Sequence, residues 1–197
     1  GSESFANELK DQFRDRDIPL TEENVRAVTD TYEQIKNISE LSEGSEKYMV
    51  ENQMEPTPED LYTAQYSAPQ NGSRQGTGYY ADGTVNGYYA KKPEQIDLEA
   101  LLPQIVKVIK DAGLEVSEET IGQAQWLIEK GIPLDEESMR RLHKLETIEF
   151  PIHMEDYLNS VTAAIADGIP VKNADLTRKE TYLEEVRGKR QLEETRL

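Results

Sequence analysis

The sequence predicts an all-α protein made of two related helical-bundle repeats, and three observations indicate this. First, residues 17–25 (Asp-Ile-Pro-Leu-Thr-Glu-Glu-Asn-Val) return as residues 131–139 (Gly-Ile-Pro-Leu-Asp-Glu-Glu-Ser-Met), which indicates an internal duplication. Second, apolar residues recur at intervals of three and four, as they do on one face of a helix. Third, Ser, Thr or Asp precedes several of these stretches, and Gly or Pro follows them, as at helix ends. The recurring Ile-Pro-Leu segment therefore predicts a turn between two helices in each repeat.

The first repeat is expected over residues 1–66 and contains four helical signals. The apolar positions of its first two helices are Phe5, Leu9 and Phe13, then Val25, Val28, Tyr32 and Ile35. Tyr48 and Met49 mark a third helix. The run Thr57-Pro58-Glu59-Asp60-Leu61 supplies an N-cap, a proline at the first helical position and acids in the first turn, which is a strong signal for the start of a helix.

The second repeat is expected over residues 94–176, and a last helix over residues 177–197. The apolar stripes are Leu101, Leu102, Ile105, Val106, Val108 and Ile109; Ile121, Ala124, Trp126, Leu127 and Ile128; Met139, Leu142 and Leu145; Tyr157, Leu158, Val161 and Ile165; and Tyr182, Leu183, Val186 and Leu192. Ser117 and Asp135 are predicted N-caps, while Gly113, Gly131 and Gly168 are predicted helix ends. The last pattern runs to Leu197 without a stop signal, so we expect the sequence to be a fragment of a larger protein.

Residues 67–93 are rich in glycine and tyrosine and have no helical period. They join the two repeats, and composition alone indicates a linker. The dipeptides Asp-Gly and Asn-Gly, with Tyr, Thr and Val around them, are also typical of a short β-hairpin, so both structures stay open. Because aromatic side chains favour contact over exposure to water, we expect Tyr79, Tyr80, Asp82, Tyr88 and Tyr89 to form a candidate interaction surface.

The same segment allows two ligand hypotheses. Tyr-Tyr-Ala-Asp-Gly-Thr at residues 79–84 is similar to repeats of cell-wall-binding and glucan-binding modules, in which aromatic faces stack on sugars. Asp82 also starts a run similar to a calcium-binding EF-hand loop, but Thr84 and Pro93 stand where that loop requires ligands. A glycan-binding module is therefore the alternative function, and we predict no metal site.

Charge and composition exclude several classes of function. Lys and Arg number 22 against 39 Asp and Glu, which gives a formal net charge of −17, and this charge repels nucleic acid and anionic membrane surfaces. No cysteine is present, so disulfides, thiolate nucleophiles and Cys-based zinc sites are excluded. No apolar run is long enough to insert into a membrane. These features assign no cellular compartment.

No pattern in the sequence predicts catalysis or a cofactor. The two histidines, His143 and His153, are far more typical of packed or partly exposed side chains than of metal ligands. Acidic pairs such as Glu22-Glu23 and Glu136-Glu137 follow N-caps, where the helix dipole favours negative charge without any catalytic role.

Four segments carry a resemblance to a known family. They are the Ile-Pro-Leu-Thr-Glu-Glu-Asn-Val run, residues 48–52 with 60–62, residues 78–82, and Gln-Leu-Glu-Glu at 191–194. In this order they resemble a family of long, repetitive helical proteins of unknown function from anaerobic Gram-positive bacteria. The resemblance implies a fragment of a larger helical-repeat protein and a flagellum-associated setting, and it implies no activity or site residue.

From these observations we expect a non-catalytic protein–protein interaction or structural module. Repeated helix pairs form extended binding surfaces, and the acidic charge selects a basic or neutral protein partner. The sequence does not indicate an oligomeric state.

Overall fold

The computed structural model describes residues 2–67 and 97–196, and every regular element among them is helical. The all-α prediction is therefore confirmed for these residues. The α-helices are α1 (Ser2–Asp15), α2 (Glu22–Ile35), α3 (Glu43–Glu51), α4 (Pro58–Ser67), α5 (Leu102–Asp111), α6 (Glu118–Glu129), α7 (Glu136–Leu145), α8 (Met154–Ala166) and α9 (Tyr182–Arg196), with a 3-10 helix at Val171–Asn173. Among these helices, none combines the length and the apolar character that a membrane crossing requires.

The predicted hairpin and most of the glycine- and tyrosine-rich segment lie outside the described residues. Several finer expectations about helix ends agree with the structure. Pro103 lies in the first turn of α5, and Ser117 and Asp135 cap α6 and α7 through bonds to backbone amides. The last helix begins at Tyr182, a few residues after the expected start.

Four connectors in the described chain share one backbone geometry. In each, a residue with positive φ ends a helix, and an N-cap residue follows four positions later: Asp17 and Thr21, Gln53 and Thr57, Gly113 and Ser117, Gly131 and Asp135. The amide after each positive-φ residue donates to the carbonyl five residues back, over 2.9 to 3.1 Å. These bonds form the Schellman motif, which satisfies carbonyls left open at a helix end.

The connectors explain why Ile-Pro-Leu recurs, but they do not test the duplication. Ile18 and Ile132 are buried, and the following prolines direct the chain away from helical geometry. The same geometry also forms at residues 53–57 and 113–117, which lack the Ile-Pro-Leu sequence. The two related repeats therefore stay a prediction.

The chain divides into two compact units. Unit 1 comprises Gly1–Glu40, Pro56–Tyr62 and Ile148–Leu197, and unit 2 comprises Leu41–Glu55 and Thr63–Thr147 as far as these are described. Each unit combines segments that are distant in sequence. The bounds of the units therefore differ from those of the predicted sequence repeats, residues 1–66 and 94–176.

In unit 1, α8 is the central helix, and it packs on α1, on α2 and on the 3-10 helix. Its Tyr157, Leu158 and Val161 are fully buried with Phe13 of α1 and Val28 of α2. In unit 2, α7 packs on α3, α5 and α6 through Met139, Leu142 and Leu145. Each unit therefore has its own apolar core.

Candidate interaction site

Unit 1 contains an open apolar groove of about 710 Å³ along α1 and α2. We call it the α1–α2 groove. Its lining residues are Ser2, Phe5, Ala6, Leu9, Lys10, Leu20, Val25, Thr29, Tyr32, Glu33, Lys36 and Met154. Exposed apolar surface of this kind marks binding sites more often than it marks inert surface.

The groove forms because no other helix among residues 2–67 and 97–196 fully covers three apolar side chains of the α1 and α2 stripes. Leu9 is buried, but Phe5, Val25 and Tyr32 are only half-buried and line the groove. Leu20, in the connector between the two helices, is 56% exposed. An apolar stripe predicts a buried face, whereas here part of the stripe faces solvent.

An aromatic stack connects the groove to the core of unit 1. The rings of Phe5 and Tyr32 stack with centroids 4.9 Å apart, and Tyr32 lies 4.9 Å from the ring of Tyr157. Tyr157 is fully buried, and its hydroxyl donates to the Val28 carbonyl over 2.6 Å. Burial raises the pKa of the Tyr157 hydroxyl far above its ordinary value, so this group stays protonated. These contacts support Phe5 and Tyr32 from beneath.

Arg16 attaches the C-terminal end of α1 to α8 and to the start of α9. Its side chain is only 11% exposed, and it donates to both carboxylate oxygens of Glu184 over 2.9 and 3.2 Å. It also donates over 2.7 Å to the carbonyls of Asn159 and Lys179 and to the Thr162 hydroxyl. These bonds keep one wall of the groove in place.

Glu184 also takes part in the capping of α9. Its carboxylate accepts from the Thr181 amide, and the Thr181 hydroxyl accepts from the Glu184 amide, each over 3.0 Å. This reciprocal pair is a capping box. The bond from Arg16, above all, lowers the pKa of Glu184 below its ordinary value.

The charged side chains that line the α1–α2 groove are Lys10, Glu33 and Lys36. Helices α1 and α2 together carry eight acidic and three basic side chains. Arg14 pairs with acids of α1, Arg26 with Glu22, and Lys36 with Glu33. The groove therefore presents an apolar floor with a charged lining of mixed sign, on two helices that are acidic as a whole.

Unit 2 contains a different polar cluster, which the sequence did not predict. The carboxyl of Glu46 on α3 hydrogen-bonds to that of Glu146 at the end of α7. Gln123 donates to Glu146 over 2.9 Å, and its carbonyl oxygen lies 3.0 Å from His143 Nδ1. Burial and then the charge of Glu146 raise the pKa of Glu46 to about 8.

The predicted interaction residues cannot be placed, because Tyr79, Tyr80, Asp82, Tyr88 and Tyr89 all lie outside the described residues. The histidines can be placed. His143 contacts Gln123 in unit 2, whereas His153 precedes α8 in unit 1. Within residues 2–67 and 97–196, no group of three or more His, Asp and Glu side chains is arranged to hold a metal ion.

Comparisons with known proteins give one result on identity. Curated proteins and solved structures provide no match to the chain. A family model described as "Family of unknown function (DUF6240)" matches residues 2–196. Because this match covers nearly the whole chain, the protein belongs to the DUF6240 family.

Proposed function

We propose that the protein is a non-catalytic module that binds another protein, and that the α1–α2 groove is its contact surface. The observation that carries this proposal is the open apolar floor formed by Phe5, Val25 and Tyr32, with Leu20 at its edge. Transfer of these side chains from water into an interface is favourable by roughly 25 cal/mol per Å² of apolar area. Support by the buried Tyr157 limits the reorganisation that binding would require.

The proposed partner is a basic or neutral protein. A net charge of −17 and an excess of acids on α1 and α2 attract cationic partners and repel nucleic acid. The proposal also includes a larger helical-repeat protein of which this chain is a part, and a flagellum-associated setting in anaerobic Gram-positive bacteria. These finer parts rest on the sequence resemblance.

Site-specific photo-crosslinking tests the proposal in cells that naturally make the protein. A photoreactive benzoylphenylalanine replaces Leu20 at the groove or, in a matched control, Leu192 on α9. The two leucines are similarly exposed, at 56% and 64%, and Leu192 does not line the groove. We expect an adduct with another protein from position 20 and little from position 192. Equal yields at both positions, or none from position 20, would contradict the proposal.

The alternative function is a cell-surface glycan-binding module that uses the tyrosine-rich segment. Retention of the wild-type chain on a cell-wall polysaccharide resin, lost in a Tyr79→Ala and Tyr88→Ala double variant with unchanged helix content, would favour this alternative. The same variant should leave crosslinking from position 20 unchanged if the groove is the contact surface.

A further inference from the structure

Helix α3 depends on its contact with α7 more than the other helices of unit 2 depend on any single neighbour. Among the described helices of that unit, α5, α6 and α7 all pack on one another, whereas α3 packs chiefly on α7. The helix α3 has only nine residues, and helices shorter than about 12 residues are marginal in water without tertiary contacts. The position of α3 is therefore set by the groups that α3 and α7 bring together.

The two ends of α3 are attached to α7 by different chemistry. Just after its C-terminal end, Arg141 of α7 donates to the Met54 carbonyl over 2.7 Å and forms an ion pair with Glu55. The guanidinium group keeps its charge at every pH that proteins encounter. Near the N-terminal end, α3 instead meets α7 through the carboxyls of Glu46 and Glu146. Two carboxyls form a hydrogen bond only while one of them carries a proton, because ionised carboxylates have no donor.

A side-chain network holds the Glu146 carboxyl in place. Gln123 of α6 donates to Glu146 over 2.9 Å, and its own carbonyl oxygen lies 3.0 Å from His143 Nδ1. Gln123 is buried, so Glu146 could turn away from Glu46 only by leaving a buried amide without its acceptor. The network therefore keeps the two carboxyls together whether or not they share a proton.

The cations close to this end of α3 are engaged with other acids. Lys130 of α6 pairs with Glu43 over 2.8 Å, and Lys47 of α3 pairs with Glu51 over 3.1 Å. Glu43 also lies close enough to Glu46 to oppose its ionisation. Loss of the shared proton therefore leaves repulsion between the carboxylates that these ion pairs do not offset.

Neutral contacts also hold α3 in unit 2. The Ser45 hydroxyl donates to the Ala64 carbonyl of α4 over 3.2 Å, and Met49 and Val50 are buried. The part of α4 that belongs to unit 2 has Tyr66 as its one titratable side chain. These contacts supply a part of the attachment that does not involve the shared proton.

We infer that the Glu46–Glu146 pair is a proton-dependent switch that sets whether α3 lies on α7. With one proton between the two carboxyls, α3 stays in place. When that proton passes to water, the two carboxylates repel, and α3 separates from α7 and exposes Met49 and Val50 while α5, α6 and α7 stay packed. The switch lies in unit 2 and does not depend on the proposed binding function of the α1–α2 groove.

The sign of the pH dependence follows from the position of Glu46. Burial, and then the charge of Glu146, raises the pKa of Glu46 from 4.5 to about 8 while α3 is in place. Separation of α3 removes both causes. The attachment of α3 is therefore strongest below pH 4.5 and weakens as the pH rises towards 8.

Amide hydrogen exchange on the full chain at about pH 5 and pH 8 tests the switch. The wild type is compared with Glu46→Gln, which keeps the shape of the side chain and removes the titration. The matched control is Glu51→Gln, because Glu51 is exposed on the same helix and pairs with Lys47 within it. Dividing the wild-type exchange rate by that of a variant at the same pH cancels the direct effect of pH on exchange. Circular dichroism verifies that the variants fold.

We expect the ratio of wild-type to Glu46→Gln exchange rates in Glu43–Glu51 to rise about tenfold from the lower to the higher pH. The same ratio in Leu102–Asp111 of α5 should change by less than about twofold. The Glu51→Gln variant should follow the wild type in both segments.

Each other outcome would overturn the switch. A ratio in Glu43–Glu51 that does not change with pH would show that the pair does not control α3. An equal rise in Glu43–Glu51 and Leu102–Asp111 would show that unit 2 opens as a whole, even though its stability depends on pH. The variant His143→Asn identifies the titrating group: a pH effect that persists in Glu46→Gln and disappears in His143→Asn would assign the effect to the histidine.

Discussion

Replacing Glu46 with glutamine should make the stability of unit 2 less dependent on pH. Burial and the neighbouring Glu146 raise the pKa of Glu46 from 4.5 to about 8 in the folded chain. Between these pH values the folded state keeps a proton that the unfolded chain releases. The proton-linked stability is therefore complete below pH 4.5 and is lost as the pH rises through about 8, opposite to the usual behaviour of carboxylates.

The size of the effect follows from the same interval. One pH unit corresponds to about 1.4 kcal/mol, so the interval from 4.5 to about 8 sets a ceiling of about 5 kcal/mol. Glu46 is half-buried and Glu146 is exposed, so solvent screening reduces the loss to on the order of 2 kcal/mol. In Glu46→Gln, a neutral amide replaces the carboxyl, and most of this loss should disappear.

Fluorescence of Trp126 during unfolding in urea provides the assay. Trp126 is the only tryptophan in the sequence, and it lies on α6 of unit 2, where its ring nitrogen donates to Glu43. The matched control is Glu40→Gln, which removes an exposed carboxyl just before unit 2 and should leave the pH dependence of the wild type unchanged. An unchanged pH dependence in Glu46→Gln would refute the assignment of a shared proton to the Glu46–Glu146 pair.

Three other predictions concern unit 1, the connectors and binding. Arg16→Met should destabilise the chain by about 2 kcal/mol, because it leaves the part-buried Asn159 carbonyl and Thr162 hydroxyl without this donor. Because Arg16 lowers the pKa of Glu184, wild type and variant should differ most in their free energy of unfolding above pH 4.5, and this difference should shrink as the pH falls below 4.5. Urea unfolding measures it, and a difference that does not change with pH would contradict this. Gly131→Ala should destabilise the chain by about 1 kcal/mol, because Gly131 has a φ of 75°. Gly122→Ala, within α6, should instead stabilise it by about 0.5 to 1 kcal/mol. If both substitutions shift the thermal unfolding temperature in the same direction, the connector geometry is wrong. Partner binding should weaken several-fold in high salt, and salt-independent capture would contradict a role for the acidic net charge of the chain in binding.

The sequence was sufficient to predict where several helices begin or end. Caps at Ser117 and Asp135, the stop at Gly131 and the early position of Pro103 are local signals, because each depends on a few neighbouring residues. The connector at Gln53 was not predicted because a glutamine, and not a glycine, adopts the positive φ there. Sequence patterns identify residues, such as glycine, that favour a positive φ. A different residue that adopts a positive φ is found only in the structure.

The same local signals could not predict the candidate site. Helical periodicity identified Phe5, Val25 and Tyr32 as apolar positions, but it cannot tell whether another helix covers them. Glu46 and Glu146 are far apart in sequence, so their contact depends on the packing of α3 against α7. The tyrosine-rich segment, which the composition emphasised, lies outside the described residues and stays a prediction.

The most direct measurement of the central claim is amide hydrogen exchange on the full chain, free and bound to the protein identified by crosslinking. If the α1–α2 groove is the contact surface, exchange in Ser2–Asp15 and Glu22–Ile35 should slow on binding, while exchange in Glu136–Leu145 of unit 2 stays the same. Protection confined to Glu136–Leu145 or to other segments, with α1 and α2 unchanged, would contradict the account.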